Sequence, residues 1–546
     1  MLACCAAFEE PDMRFRLQLL LIALLPAGME VQAAVTLTCP TRNNPGIPND
    51  PPCQAGFPSA LIELGNDRVG SSSPTVVDLN NDGSPEIVFG TEGGRVVAVR
   101  SNGTLMWSYR TGTVPVQSKA AIADIDGDGL LDIVVGAGSP AFNGGGIYVI
   151  SNTGQLKCSF TALNPEHPQG MFSSPALGVL DPSTPSKMQI AVASFDYRFR
   201  VLRDDCSVWW EKGVPGYVVD TIWSSPSIVD LDRNGSLDIV VGADSNAQTI
   251  GGFTVPNGGM LRAWNGNGAS ELAGYPRLFD EVVYSSPAIG DILGNGGLAT
   301  IVGSGRCWDL PSCAVTQPVS KVVHGIAASG ANLPSWPRPT PAQSSRTASP
   351  ALAKFAGVGG LVSVINTLRN DDVNGLVHAF RPDGSELPGW PVEPSIVADC
   401  LGNSLHYGTL ASPVVANLLG DTDPEIILPA ANEFVIWKRS GEQLTPATGC
   451  PIPAGKLNLS TNSDALFNSA AVADIDRNGK LEVIGAGTNS NVPGLSGPYV
   501  TIYAWTFNDS VADARYMDWP MFRRDAINSG VYRPEVIFAN GFESSP

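Results

Sequence analysis

A single pattern recurs eight times in this chain, and it limits the folds that the chain can adopt. Each copy has a start of small residues, an apolar run, an acidic loop, a second apolar run, a glycine turn and a third apolar run, as in SSPTVVDLNNDGSPEIVFGTEGGRVVAV. The copies begin at Ser72, Ser118, Ser173, Ser224, Ser285, Ala348, Ala411 and Asn468, about 46 to 63 residues apart, a spacing typical of propeller blades and related arrays. The 546 residues are therefore organised as repeated units, each packing mainly against its neighbours.

The apolar runs have the composition of short β-strands. Runs such as EIVFG from Glu86, RVVAV from Arg95 and DIVVG from Asp132 are rich in β-branched residues, and the 59 glycines and 44 prolines of the chain provide many turns. Nothing in the mature chain has a sustained helical period. The sequence therefore predicts an all-β fold.

Stacked sheets of this kind predict a β-propeller. A four-stranded sheet cannot bury both of its faces alone, whereas radial stacking buries each sheet against the next. We expect four-stranded blades over residues 70–533, and eight starts favour eight blades. Seven blades with one degenerate unit, and an open solenoid, are the alternatives.

Several copies end with an aromatic residue followed by proline, as GYP, SWP, GWP and DWP at Gly274, Ser335, Gly389 and Asp518. We interpret these as the fourth strand leaving its blade, with the aromatic side chain packed between blades. The final segment, residues 519–533, has no acidic loop after it. We expect it to supply a strand that closes the ring against the first blade.

Four copies carry oxygen-bearing side chains at alternate positions of a nine-residue loop. These side chains are Asp78, Asn80, Asp82 and Glu86; Asp124, Asp126, Asp128 and Asp132; Asp230, Asp232, Asn234 and Asp238; and Asp474, Asp476, Asn478 and Glu482. The seventh position varies, as Ser84, Leu130, Ser236 and Lys480, which a backbone carbonyl ligand would allow. Glycine follows the fifth position each time and permits a sharp reversal of the backbone.

Carboxylates this close together repel one another unless a cation lies between them. Mixed carboxylate, amide and carbonyl oxygens suit calcium better than zinc or magnesium. The loops begin like an EF-hand loop but lack its glutamate at the twelfth position, and strands flank them, so an EF-hand is excluded. The alternative is that Asp and Asn only cap turns. We predict about four calcium ions with a structural role.

The other copies depart from this pattern. The loop from Asn417 keeps Asp421 and Glu425 but has Leu419 at its third position, so metal binding there is doubtful. The copies near Asp181, Asp291 and Ala353 have lost most of the ligand positions. We expect these to be structural blades without metal.

The repeated unit D-x-[DN]-x-[DN]-G-x-x-[DE]-[IV] resembles the FG-GAP or VCBS repeats of integrin α-subunit propellers and bacterial exported proteins. The resemblance covers about residues 70–533. It implies that the first, third, fifth, seventh and ninth positions of the four intact loops hold calcium.

The N-terminus has the pattern of a secretory signal. Arg14 and Arg16 precede an apolar run from Leu17 to Leu25, and a polar stretch ends in VQAA. The run is shorter than the roughly 20 residues that span a bilayer, so a permanent anchor is the weaker alternative. We assign residues 1–33 to the signal, with Met13 as an alternative start, residues 34–69 to a proline-rich segment and residues 534–546 to a C-terminal tail. The predicted location is secreted, periplasmic or at the cell surface, with no integral membrane segment after signal removal.

Eight cysteines follow the signal, an even number that favours disulfides in an exported chain. We expect sequential pairing, as Cys39–Cys53, Cys158–Cys206, Cys307–Cys313 and Cys400–Cys450. Zinc is less favoured because no CxxC pair accompanies them.

The net charge and the residue content of the chain disfavour several classes of function. A net charge of −19 opposes binding to nucleic acid or anionic membranes. The four histidines lie outside any recognisable motif, and we expect them in surface positions or loops. The chain offers no catalytic constellation.

We therefore predict a module that binds or scaffolds an extracellular protein or glycan, recognised through loops such as residues 307–319 and 369–377. A polysaccharide lyase or another carbohydrate-active enzyme on the same fold is the alternative. A quinone-dependent dehydrogenase ranks last, because its repeats lack acidic loops of this kind.

Overall fold

Each repeat folds into one antiparallel sheet because its apolar runs are joined by turns that reverse the chain. The description that follows rests on a computed structural model. It covers residues 35–37, 51–138, 144–161, 170–213, 222–245, 248–250, 253–255, 258–305, 322–340, 344–369, 375–394, 411–445, 457, 459, 461 and 466–533. These residues belong to one compact unit, residues 34–546.

Two short strands and a 3-10 helix precede the first repeat. They are β1 (Val35–Thr36), β2 (Ser59–Ala60) and η1 (Ile62–Leu64). Blade 1 contains β3 (Thr75–Val77), β4 (Glu86–Gly90), β5 (Arg95–Val99) and β6 (Leu105–Arg110). Blade 2 contains β7 (Ala121–Ala123), β8 (Asp132–Ala137), β9 (Gly146–Ser151) and β10 (Leu156–Thr161). Blade 3 contains β11 (Ala176–Gly178), β12 (Gln189–Ala193), β13 (Phe199–Leu202) and β14 (Val208–Lys212).

Blades 4 and 5 follow the same order, and blade 4 carries an additional hairpin. Blade 4 contains β15 (Ser227–Val229), β16 (Asp238–Ser245), β19 (Gly258–Asn265) and β20 (Arg277–Phe279), with the hairpin β17 (Gln248–Ile250) and β18 (Phe253–Val255) between β16 and β19. Blade 5 contains β21 (Ala288–Gly290), β22 (Ala299–Gly303), β23 (Val322–Ala327) and β24 (Arg338–Pro339).

The last three blades complete the ring. Blade 6 contains β25 (Ser344–Thr347), β26 (Ala351–Ala353), β27 (Val362–Arg369) and β28 (Val377–Phe380), and Val392 bridges to Val377. Blade 7 contains β29 (Val414–Ala416), β30 (Glu425–Ala430) and β31 (Glu433–Trp437), and Gln443 bridges to Trp437. Blade 8 contains β32 (Ala471–Ala473), β33 (Leu481–Asn489) and β34 (Tyr499–Phe507); a second 3-10 helix, η2 (Ala514–Tyr516), follows. The predicted all-β, eight-bladed propeller is confirmed, and the seven-bladed alternative is excluded.

The ring is closed by the N-terminal side of the chain. Strand β2 pairs with β34, so the last sheet has the order β1-β2-β34-β33-β32. The first strands of blades 1 and 8, β3 and β32, also lie side by side. The prediction that residues 519–533 supply the closing strand was therefore wrong.

Residues 516–533, which we name the axial segment, instead contact the first strands of six blades. Its backbone bonds to Val415, Val472, Ile122, Leu177, Ile228 and Ile289, from blades 7, 8, 2, 3, 4 and 5 respectively. The N–H of Ile122 donates to the Ala526 carbonyl at 2.8 Å, and the N–H of Ile289 donates to the Gly530 carbonyl at 2.9 Å. The DWP motif at Asp518 thus lies in this segment and not in a fourth strand.

The hydrophobic core is divided among the spaces between adjacent blades, as stacked sheets require. Tryptophans near the outer edges link neighbouring blades. The indole N–H of Trp107 donates to the Asn152 carbonyl at 2.9 Å, and that of Trp390 donates to the Arg439 carbonyl at 2.8 Å. The packing role predicted for the aromatic residue of the GWP motif is therefore confirmed.

One predicted disulfide, Cys158–Cys206, is present between blades 2 and 3. Cys53 is also disulfide-bonded, while its predicted partner Cys39 and the other predicted pairs lie outside the described residues. The signal, residues 1–33, and the tail, residues 534–546, lie outside them too. Within the described part of the chain, no helix has the length and apolarity needed to cross a membrane.

Two histidines are buried on strands, contrary to the expectation of surface or loop positions. His324 on β23 contacts the Ser304 hydroxyl at 2.9 Å, and burial lowers its pKa to about 3. His378 on β28 lies 2.7 Å from a Glu386 carboxylate oxygen. Both are packed in the sheets, where each has a local polar partner. His167 and His406 lie outside the described residues.

Candidate functional site

The four intact acidic loops occupy the same place in their blades. Each joins the first strand to the second, so all lie at the end of the blades where the first strand stops, which we name the acidic face. The loops are residues 78–86 in blade 1, 124–132 in blade 2, 230–238 in blade 4 and 474–482 in blade 8.

The backbone of these loops is held by their own predicted ligand side chains. The first-position carboxylates of Asp78, Asp124, Asp230 and Asp474 each accept the N–H of the glycine that follows position five, at 2.9 Å. The glycine has a positive φ in every case, between 83° and 99°. The fifth-position side chain accepts the N–H of position seven, at 2.7 to 2.8 Å. The sequence pattern therefore encodes one turn geometry, which turns the side chains at positions one and five into the loop.

Three of the loops bring carboxylates together closely enough for one cation. The clusters are Asp124, Asp126 and Asp128; Asp230, Asp232 and Asp238; and Asp474, Asp476 and Glu482, each with ligand oxygens within 4.8 Å of one another. Asn234 and Asn478 add amide oxygens in the blade-4 and blade-8 loops. The seventh-position residues Ser84, Leu130, Ser236 and Lys480 form the turn in each loop.

The blade-1 loop has a different arrangement. The Arg477 guanidinium, from the blade-8 loop, lies 3.3 Å from a carboxylate oxygen of Asp78. Within the loop, the Asn80 amide donates to Asp82 at 2.9 Å. Glu86 is buried and accepts the Leu79 N–H at 3.0 Å. Among the described clusters of acidic oxygens, this loop is not represented.

The buried ninth-position acids fit a cation that the loop would enclose. Glu482 is fully buried, and its Oε1 has no hydrogen-bond partner among the described residues. Burial raises the pKa of Glu482 to about 8, and the neighbouring carboxylates of Asp476 and Asp474 add to the rise. Burial likewise raises the pKa of Asp238 to about 6. Each acid accepts one backbone N–H, from Ile475 to Glu482 at 2.9 Å and from Leu231 to Asp238 at 3.0 Å. Burying the charged carboxylate is still costly, and a hard cation at these oxygens would lower that cost.

The blade-2 loop already contains a positive charge. The Lys157 ammonium, from β10, lies 2.6 Å from Asp126, 3.2 Å from Asp128 and 2.9 Å from Asp132. Burial opposes the charged form, yet the hydrogen bonds to Asp126 and Asp132 raise the pKa of Lys157 above its ordinary value. A calcium ion entering this loop must therefore compete with Lys157.

Replacing Lys157 should strengthen calcium binding at the blade-2 loop. We expect Lys157→Gln to raise the calcium affinity of this loop by about tenfold, the factor that corresponds to about 1.4 kcal/mol. Isothermal titration of the metal-free protein measures it. Lys480→Gln is the matched control, because Lys480 bonds to the Ser510 carbonyl and not to a loop carboxylate. Equal affinities for the two variants would contradict the competition.

The metal-free protein should lose stability as the pH rises. Burial raises the pKa of Glu86 to about 7 and that of Glu425 to about 8, above the value of 4.5 expected in an unfolded chain. Because these folded-state pKa values are raised, the stabilisation is complete below pH 4.5 and is lost as the pH passes through 7 to 8. We expect the melting temperature without metal to fall between pH 5 and pH 8. A rise across that interval would contradict this assignment.

The loops of blades 5 and 7 keep the turn without a full ligand set. In blade 5, Asp291 accepts the N–H groups of Asn295 and Gly296, at 3.0 and 2.8 Å. In blade 7, Arg439 lies 3.4 Å from Asp423. The doubtful loop from Asn417, and the copies near Asp181, Asp291 and Ala353, form no acidic cluster among the described residues.

A second organised feature, which the sequence pattern did not predict, lies at the opposite end of the first strands. In seven of the eight copies the second residue is a serine whose hydroxyl accepts a backbone N–H from the blade before it, and the copy in blade 2 has Lys119 there. The donor and acceptor pairs are Lys119–Ser174, Ser174–Ser225, Ser225–Ser286, Ser286–Ser349, Ser349–Ser412, Ser412–Ser469 and Ser469–Ser73, at 2.9 to 3.1 Å. We name these seven serines the serine ring. The sequence signal for this ring is a serine that precedes proline in six of the seven copies, a pattern that by itself indicates only a turn.

Residues 78–135, from the blade-1 loop to β8, match the FG-GAP-like repeat family. The protein is a β-propeller that carries an FG-GAP-like repeat. A comparison with curated protein sequences gives no match.

The propeller is similar in structure to two solved proteins. One is the V. cholerae biofilm matrix protein Bap1, with 13% identity and a TM-score of 0.56, covering 89% of this chain and 96% of that one. The other is the exotype rhamnogalacturonan lyase YesX, with 14% identity and a TM-score of 0.50, covering 87% of this chain and 80% of that one. At such identities the likeness concerns the fold.

Proposed function

We propose that this protein is an exported, calcium-binding propeller that binds a glycan or a protein outside the cell and serves as a scaffold. The calcium ions would be structural. The observation that carries the proposal is the contrast between the two faces of the ring: one face has acidic loops of nearly uniform design, and the other has connections of variable length.

The variable face lies at the serine-ring end of the blades. The connection between second and third strands comprises only residues 91–94 in blade 1 and 431–432 in blade 7, but residues 246–257 in blade 4, where it includes the β17–β18 hairpin. Variable loops on a rigid repeat scaffold are where recognition residues are commonly found. The predicted recognition loops, residues 307–319 and most of 369–377, belong to the same class of connection but lie outside the described residues.

Calcium supports this role by fixing the opposite face. Each acidic loop ties the end of the first strand to the start of the second, and the donors are hard oxygens that calcium prefers. In the three clustered loops, the bound ion would be held by Asp124, Asp126, Asp128 and Asp132; by Asp230, Asp232, Asn234 and Asp238; and by Asp474, Asp476, Asn478 and Glu482. Occupation of such sites stabilises the folded state in proportion to the logarithm of calcium concentration.

The lyase alternative has less support. Cleavage of an acidic glycan would need a base beside a uronate held by the cation. The acidic loops are separated from the variable face by the length of a first strand, and Ser73 and Asp78, five residues apart, are roughly 15 Å apart in extended chain. A sugar bound at the variable face would therefore not reach these metal loops.

A binding screen with product analysis tests the proposal. Calcium-loaded protein is applied to immobilised neutral, acidic and aminated polysaccharides and to extracellular protein extracts, and soluble products are followed by the ultraviolet absorbance of unsaturated uronates. We expect retention on at least one glycan or defined protein without unsaturated products. Product formation would replace the binding role with the lyase, and absence of retention on every surface would reject the role.

A further inference from the structure

The variable face has a cavity at the propeller axis that no acidic loop reaches. Its volume is about 170 Å³, and its described lining comes from all eight blades and from the axial segment. Phe522 of the axial segment lines it, while Asp525 and Asn528 below are bonded to the Lys119 ammonium. The axial segment thus stops the central channel and gives the cavity a floor.

The serine ring gives the cavity wall polar groups with unused bonding capacity. With respect to the described residues, each ring hydroxyl accepts one backbone N–H, which leaves its own hydrogen and a second lone pair. Ser174 and Ser225 are 2% and 3% exposed, and both line the cavity. Such hydroxyls can donate to and accept from a ligand that itself carries hydroxyl groups.

Aromatic side chains occupy one side of the same cavity. The position two residues before the ring serine is Phe172, Trp223 and Tyr284 in the consecutive blades 3, 4 and 5. The ring centroids of Phe172 and Trp223 are 5.3 Å apart, and those of Trp223 and Tyr284 are 5.0 Å apart. All three are only partly buried, so the wall presents open aromatic surface to the cavity.

The equivalent position is polar in blades 1 and 2, as Ser71 and Gln117, and is Phe467 in blade 8, which lies opposite blade 4. The cavity wall is therefore aromatic in blades 3, 4, 5 and 8, and it carries hydroxyl and amide groups in blades 1 and 2 and along the serine ring. A ligand that matches it must have one apolar face and several hydroxyl groups.

The volume of the cavity and the charge of its lining limit which ligands it can bind. A cavity of about 150 Å³ holds a six-membered ring such as benzene, so about 170 Å³ suits a single ring with part of its substituents outside. Of the described lining residues only Lys119 is charged, and its ammonium is engaged by the Asp525 carbonyl and Asn528. No lining cation is thus left, within the described residues, to pair with a carboxylate.

We infer that the axial cavity binds one neutral hexopyranose unit, its C–H face stacked on Trp223 and its hydroxyls bonded to the serine ring. This inference rests on the proposed binding function and assigns its site. The sugar is a single unit or an exposed unit of a longer glycan, and the site is independent of the calcium loops.

The test uses the full mature protein with calcium and the methyl glycosides of glucose, galactose, mannose, rhamnose and N-acetylglucosamine as probes. Binding is followed by tryptophan fluorescence and by saturation-transfer NMR. We expect at least one glycoside to bind saturably with a millimolar Kd, and Trp223→Ala to raise that Kd at least tenfold. Phe467→Ala, at a lining residue that is 39% exposed, is a second variant that should fold and weaken binding.

Trp209→Ala is the matched control, because Trp209 lies on the outer strand β14 and does not line the cavity. It should bind as the wild type does. Saturable binding of glucuronate or galacturonate alone, no binding of any neutral glycoside, or binding unaffected by Trp223→Ala and Phe467→Ala would each overturn the site. If Trp223→Ala protein were still retained on the polysaccharide surface that retains the wild type, the proposed function would stand and only the axial site would fall.

Discussion

Ending the chain at Arg515 is expected to lower the melting temperature by about 10 °C or more, or to prevent folding. The truncation removes the axial segment and leaves buried backbone donors on six blades without acceptors, among them the N–H groups of Ile122 and Leu177. Each unsatisfied buried donor costs about 1–3 kcal/mol. It also removes Arg523, whose guanidinium donates to the Pro226 and Pro287 carbonyls, at 2.8 and 2.6 Å.

Two further variants separate this effect from a general effect of shortening. Ending the chain at Arg533 removes only the tail, and we expect an unchanged melting temperature. Asn528→Ala leaves the segment in place but removes one partner of the buried Lys119 ammonium, at 2.7 Å, and the bond to the Pro175 carbonyl. We expect it to destabilise the fold by about 1–3 kcal/mol. A protein ending at Arg515 that melts like the wild type would show that the axial segment is dispensable.

The axial segment shows why closure of the ring was harder to predict than the blades. A blade is encoded locally: the acidic loop, the glycine and the apolar runs on either side lie within one repeat, so pattern alone located it. The partner of β34 is Ser59–Ala60, more than four hundred residues away in a proline-rich stretch without strand periodicity. Residues 519–533 form isolated bridges and no continuous strand: Trp519 bridges to Val415, Met521 to Ala471 and Val531 to Ile289.

In the acidic loops too, the bonds within a loop could be predicted from the sequence, whereas the contacts made by residues from other blades or strands could not. The turn bonds at Asp78, Asp124, Asp230 and Asp474 follow from the nine-residue pattern, and the structure has them in all four loops. Two of the loops are contacted by positively charged side chains that lie outside those loops in the sequence. Lys157 reaches the blade-2 loop from β10, and Arg477 reaches Asp78 across the junction of blades 8 and 1. Neither contact leaves a periodic signal, so sequence predicted four equivalent sites where the structure has unequal ones.

The difference among the loops decides where calcium would stabilise the ring without displacing a basic side chain. Within the described residues, no lysine or arginine forms an ion pair with the clusters of blades 4 and 8, and these two blades lie on opposite sides of the ring. Calcium at these two positions would fix the ends of four strands. The blade-2 loop would respond to calcium only where the ion displaces Lys157.

Removal of calcium is expected to lower the melting temperature at pH 7.5 by about 5–10 °C. One site saturated at a hundred times its Kd contributes about 2.7 kcal/mol. With all three clusters saturated to this degree, which in blade 2 requires enough calcium to displace Lys157, the combined contribution is about 8 kcal/mol. Without the ion, the buried acids Asp238 and Glu482 must be either protonated or charged with no positive charge beside them. Calorimetry of chelator-treated protein, before and after calcium is restored, measures the change, and calcium analysis should give about three bound ions, or four where Arg477 is displaced from the blade-1 loop.

A pair of loop variants assigns that stabilisation to the clusters. Asp230→Asn removes a first-position carboxylate from the blade-4 cluster and should abolish about one third of the calcium-dependent rise, with one ion fewer bound. Asp291→Asn is the matched control: Asp291 has the same place and the same turn bonds in blade 5 but belongs to no cluster, so its calcium-dependent rise should equal that of the wild type. Equal losses of the calcium-dependent rise in the two variants would mean that these carboxylates only cap turns. An unchanged melting temperature after chelation would mean that calcium does not stabilise the fold.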